Sequence, residues 1–170
     1  MTEASLVVDR LKLKYEGLFN SAELYSVISS WFFEKGWDWY EKMNQEQVTA
    51  NGKQIRFIFE PWKSSSDYHK AIIKIKMLMT DVREVEVEQE GKNLNLSHGE
   101  VKFYIDAILL SDRNEKWHKK PLLWLMSIMF EKYLYKQHQG KMRIWIKSDV
   151  DDLYNKIRNY LNTFKYTYHS

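Results

Sequence analysis

The sequence predicts a single α+β domain, a curved antiparallel sheet of about six to seven strands packed against two or three helices. Three observations carry this. Apolar and polar residues alternate with a period of two through the middle of the chain. Turn signals at Asn51-Gly52 and Gly91-Lys92-Asn93 divide that stretch. Helical apolar spacing replaces the alternation before and after it. Strands joined by short turns pair antiparallel, because parallel neighbours need a long crossover.

The elements follow in order. Leu11, Leu13 and Tyr15 alternate with lysines and Glu16, predicting a half-buried strand that ends near Gly17. Asn20 with Glu23 three positions on resembles a capping box, and Leu24, Val27, Ile28 and Trp31 continue as a helix over 21–35 that stops at Gly36. Trp37, Trp39 and Met43 are expected on one face of the next strand. After the Asn51-Gly52 turn, Ile55, Phe57 and Phe59 point inward, and Pro61 ends the strand. Ser64-Ser65-Ser66-Asp67 reads as a loop.

Ala71, Ile73, Ile75, Met77 and Met79 alternate with lysines, then the phase shifts near Asp81, where Val85 and Val87 alternate with Glu84, Glu86 and Glu88. Two tightly joined strands or one strand with a bulge both fit. Leu94 and Leu96 predict a short strand, and Val101, Phe103, Ile105, Ala107 and Leu109 another. Pro121 opens a helix over 121–137, Met142, Ile144 and Ile146 predict a short last strand, and Ser148 is expected to cap a final helix striped by Val150, Leu153, Ile157, Tyr160, Leu161 and Phe164.

Composition bounds the function classes. With 170 residues, 44% of them hydrophobic, one core suffices without disulfide or metal staples. Cysteine is absent, which excludes disulfides, thiolate metal sites and thiol nucleophiles and agrees with a cytoplasmic location. The first ten residues lack the apolar stretch of a signal peptide, and no run approaches the length of a spanning helix, so neither a signal peptide nor a membrane span is expected. The net charge of +3 permits an anionic partner without demanding one.

No catalytic motif emerges. His69, His98, His118, His138 and His169 show no metal-ligand spacing, so neither a metal nor a cofactor is expected. There is no Gly-x-Ser-x-Gly elbow and no glycine-rich phosphate loop. Asp106, on the face opposite Phe103 and Ile105, is the one acid that a pocket on that face would make functional; otherwise it is a solvated charge.

Three surfaces remain. Lys12, Lys14, Arg56, Lys70, Lys74, Lys76 and Lys102 fall on the outward sides of strands and, with Tyr104 as a stacking ring, form a candidate RNA-binding face. Glu84, Glu86, Glu88 and Glu100 fall on the same class of positions, and Lys–Glu pairing across a solvated sheet explains both sets equally. The helix over 121–137 has almost no polar side in its first half. Burial, self-association or a protein partner, and last of all lipid contact, would account for it, with Trp124 and Phe130 at a partner contact. A concave inner sheet face lined by Trp39, Phe57, Phe59, Ile75 and Met77, with Asp106, would hold a small hydrophobic ligand, unless the stripe is simply closed core.

In element order the chain resembles the helix-grip plan of the START and polyketide-cyclase-like superfamily, from which the helix over 121–137 departs. In residues it resembles an uncharacterised archaeal protein family of about this size, through Lys14-Tyr15-Glu16-Gly17-Leu18-Phe19, Gly52 to Glu60-Pro61-Trp62, Asp67-Tyr68 and Lys120-Pro121-Leu122-Leu123. The first resemblance implies a ligand-binding module beneath the last helix. The second brings no catalytic residues.

Overall fold

The computed structural model describes residues 2–66, 69–112 and 136–167. They form six strands and two helices: β1 (Thr2–Phe19), α1 (Ser21–Glu34), β2 (Glu41–Thr49), β3 (Gly52–Phe59), β4 (Trp62–Ser66), β5 (His69–Gln89), β6 (Lys92–Asp112) and α2 (Lys136–Thr167). The strands make one antiparallel sheet in the order β1-β6-β5-β3-β2, with β4 pairing onto the end of β5. The class is the α+β arrangement expected.

Alternation explains the long central strands. Ala71, Ile73, Ile75, Met77 and Met79 on β5, and Val101, Phe103, Ile105, Ala107 and Leu109 on β6, are at most 1% exposed. They share one face because cross-strand partners point the same way, as in Ile75↔Ile105 and Met77↔Phe103. Helix α2 packs on this inner face against β1 and β6, and touches α1. The residues between them, Lys74, Lys76, Lys102, Tyr104 and Asp106, stand on the outer face, away from both helices.

Helix α1 starts as its capping residue dictates: the Asn20 side chain accepts the Glu23 backbone N–H at 3.1 Å. The Tyr160 hydroxyl donates to the Asn20 carbonyl at 3.3 Å, tying the α1 start to α2. The phase shift near Asp81 is one β5 strand with a bulge. Its register slips between Thr80 and Arg83, and Asp81 takes a positive φ of 55°. From Val85 and Leu96 onward β5 and β6 pair only with each other, as a two-stranded ribbon turning at Glu90-Gly91.

The structure corrects several boundaries. The stretch with Met142, Ile144 and Ile146 is helix, not strand: Met142 and Ile146 are buried one turn apart, while Ile144 is 72% exposed. The buried stripe then runs unbroken through Val150, Leu153, Ile157, Leu161 and Phe164. Ser148 therefore lies inside α2 and caps nothing. Ser64 to Ser66 belong to β4 instead of a loop, and 94–96 and 101–109 are one strand. Trp37 and Trp39 precede β2, where Asp38 forms a single bridge to Trp62. The expected helix over 121–137 lies outside the described residues except for its last two positions, which open α2.

Candidate functional site

The outer face is assembled by cross-strand register. One row crosses it as Lys12↔Tyr104↔Lys76↔Ile58, on β1, β6, β5 and β3. The next row reads Lys14↔Lys102↔Leu78↔Arg56. Adjacent strands lie ~4.8 Å apart, so these side chains are near neighbours. Two depressions lie in this face and share Leu78. One, of about 410 Å³, has Lys12, Lys74, Lys76, Tyr104 and Asp106 around it. The other, of about 740 Å³, is bordered by Gln45, Gln54, Arg56 and Thr80.

The bulge at Asp81 decides the electrostatics. Because β5 gains one residue there, Glu84, Glu86 and Glu88 face Ser97, Asn95 and Asn93. Those β6 positions alternate with Glu100, Lys102 and Tyr104, so they point to the opposite side. Three of the four glutamates that the sequence placed among the lysines are thereby removed from the basic face. What remains is Lys12, Lys14, Arg56, Lys70, Lys74, Lys76 and Lys102 against Glu16, Glu60, Glu100 and Asp106. Lys42, beside Glu60, and Arg10, at the edge of the first depression, add to the cations of this face.

Three of these four acids, Glu60, Glu100 and Asp106, are already engaged, while Glu16 forms no ion pair among the described residues. Glu100 lies 3.0 Å from Lys102 and 3.9 Å from Lys14, and Glu60 lies 3.3 Å from Lys42 and 3.9 Å from Lys74. Asp106 accepts the backbone N–H of Arg10 at 2.7 Å. Arg10 has a positive φ of 51° within the irregular part of β1, so Asp106 anchors a strained backbone and stands at the rim of the depression. Among the described residues Lys12, Arg56 and Lys76 form no ion pair. The Lys12 ammonium lies 6.0 Å from the Tyr104 ring centre instead.

The other sequence-predicted residues divide between surfaces. Phe59, Ile75 and Met77 are wholly buried in the inner core. Trp39 and Phe57 pack against that core but remain partly exposed, with Trp39 4.8 Å and Phe57 5.5 Å from the Phe59 ring. Five of the six residues assigned to a ligand thus share the inner side, and Asp106 does not. Trp124 and Phe130 lie outside the described residues. Among the described residues no group of three or more His, Asp or Glu is placed to hold a metal, and no helix is long and apolar enough to cross a membrane.

A second constellation was invisible in the sequence. Where α1 ends, the Trp31 indole N–H donates to Asp152 at 2.8 Å, and Trp37 stacks on Trp145 at 5.9 Å. Lys63, from β4, donates to the Lys35 carbonyl at 2.7 Å and lies 5.1 Å from the Trp145 ring centre. Asp149 is buried beside them. Burial raises its pKa and outweighs the opposing pull of Lys35, Lys63 and the Trp37 indole N–H, which comes close without closing a well-aligned hydrogen bond. Finding this cluster required knowing that 142–152 is helical.

The cluster yields a pH prediction. A carboxyl whose pKa is higher folded than unfolded makes the native state hold its proton longer, so its contribution to stability falls as pH rises from about 4. Asp149→Asn is expected to raise the melting temperature at pH 7, and the gain should vanish toward pH 3, where both side chains are neutral. Thermal unfolding at several pH values reads this. A loss of stability at pH 7 would mean that attraction to Lys35 and Lys63 outweighs burial.

No known protein family matches the chain, and no curated protein does.

Proposed function

We propose that this protein is a binding module that takes single-stranded nucleic acid, RNA in particular, on its open sheet face. The observation that carries the reading is the bulge at Asp81, which clears the glutamates of the ribbon from the lysine rows. An aromatic ring between unpaired cations is what single strands need: bases stack on the ring while ammonium groups neutralise phosphates. Tyr104, with Lys12 and Lys76 opposite it on either side, has that arrangement. A duplex keeps its bases stacked internally and cannot use the ring in this way.

The test is fluorescence anisotropy with a labelled 12-mer of uridine. Binding is expected at low salt, falling with added salt at a logarithmic slope of about −0.7 for each phosphate neutralised. The Lys12→Glu, Lys76→Glu double variant should bind at least about tenfold more weakly, since two attractions become repulsions. Binding that ignores both salt and the double substitution would remove the proposal.

A second reading places an apolar ligand against the partly exposed inner-face rings of Tyr25, Trp39 and Phe57. Their partial exposure favours it. Truncating Phe59, the buried ring beneath them, separates this reading from a packed core, because a core ring loses stability and a ligand wall loses binding.

A further inference from the structure

The outer face carries a second ring besides Tyr104. Trp62 on β4 pairs with Ile72 of β5, and Ile72 alternates with the buried Ala71 and Ile73. Trp62 therefore shares the face with Tyr104, while its neighbour Lys63 turns to the helix side and Trp145. Trp62 is half-buried, and the Lys70 ammonium sits 4.2 Å from its ring centre. This repeats the pairing of Lys12 with Tyr104.

Register fixes the spacing of the two rings. Tyr104 lies opposite Lys76, and Trp62 opposite Ile72, on the two sides of β5. Four residues along a strand span ~13 Å and two strand spacings ~10 Å, so the rings stand roughly 16 Å apart on a diagonal. Lys74 is the outward residue of β5 midway along it. At the stacked spacing of ~3.4 Å per nucleotide the diagonal covers about five steps, and fewer for an extended strand.

We infer that Trp62 is a second stacking platform, and that the bound strand runs diagonally from Tyr104 over Lys74 to Trp62, occupying about four to six nucleotides. The inference rests on the nucleic-acid reading above and adds the path, the footprint and a residue to it. Lys70 leaves the ring when a base arrives and turns to the phosphate beside it. Both side chains of this cation–ring contact keep some exposure, so a stacked base and a phosphate can replace it.

The experiment uses the full chain, labelled oligouridylates of three, six and twelve nucleotides, and two variants. Trp62→Phe keeps a ring, and Trp62→Ile removes it while keeping a residue that favours strands. Affinity is expected to step up between three and six nucleotides. Trp62→Ile should weaken the six- and twelve-nucleotide complexes about tenfold, with Trp62→Phe within about twofold of the parent. Should Trp62→Ile bind all lengths as the parent does while the Lys12, Lys76 double variant loses binding, the second platform is wrong and the nucleic-acid reading stands. Should the parent bind no oligonucleotide, both fall. Melting temperatures of the variants exclude a trivial loss through unfolding.

Discussion

Replacing Phe59 with alanine is expected to lower the unfolding free energy by about 3–5 kcal/mol, measured by urea titration with an unchanged slope. Phe59 has no exposed surface. Three rings surround it, those of Trp39 at 4.8 Å, Phe57 at 5.5 Å and Tyr25 at 5.6 Å. Its strand is held on both sides, by Glu41 of β2 and Ile75 of β5. The surroundings cannot collapse into the vacated space without moving two strands, so the variant loses the transfer energy of the ring and also bears a cavity. Against a typical total of about 5–15 kcal/mol this is a large share. A Phe59 that walled an existing ligand cavity would cost only its transfer energy, about 1.5–3 kcal/mol. It would instead weaken the uptake of an apolar dye. The small stability loss together with lost dye binding would overturn the packed-core assignment and favour the inner-face ligand.

That Phe59 belongs to the sheet's inner side was legible in the sequence, as was the hairpin before it. Alternation of Ile55, Phe57 and Phe59 after Asn51-Gly52 admits one reading. Met142, Ile144 and Ile146 admitted two, because positions i and i+4 coincide in both periods and the exposed Ile144 looks like a third strand residue. The pattern resolves only when followed to Phe164, where the spacing of three and four persists. The candidate site was legible in part for a different reason. Its lysines and Tyr104 could be named from strand parity alone. Which carboxylates face them depends on a single extra residue near Asp81, and no local signal says which strand takes the bulge. Trp62 was hidden because a serine-rich stretch after it reads as a loop, although β5 supplies the pairing that makes it a strand. Lys63 on β4 is far in the chain from Trp145 and Asp149 on α2, and their meeting is a product of tertiary packing.

Gly52→Ala is expected to cost about 2–4 kcal/mol, combining backbone strain with overpacking. Gly52 has a φ of 132°, a conformation that side-chain-bearing residues rarely adopt. A Cβ there would stand 2.9 Å from the Asp81 carbonyl carbon and from the Val82 oxygen, both backbone atoms that cannot rotate away. Gly91 is the matched control, since its φ is 76° and a Cβ would meet nothing within 4 Å. Gly91→Ala should cost about 1 kcal/mol, and equal losses for the two variants would disprove the close-approach argument. The Gly52 substitution also reaches the binding face. The hairpin tip holds the bulge in place: Gln54 donates to the Asp81 carboxylate at 2.7 Å, and Arg83 donates to the Asn51 carbonyl at 2.9 Å. Pushing the tip away loosens the one irregularity that keeps Glu84, Glu86 and Glu88 off the lysine face. A slip of one residue would turn all three toward it. Gly52→Ala should therefore weaken oligouridylate binding even at temperatures where the protein remains folded, and Gly91→Ala should not.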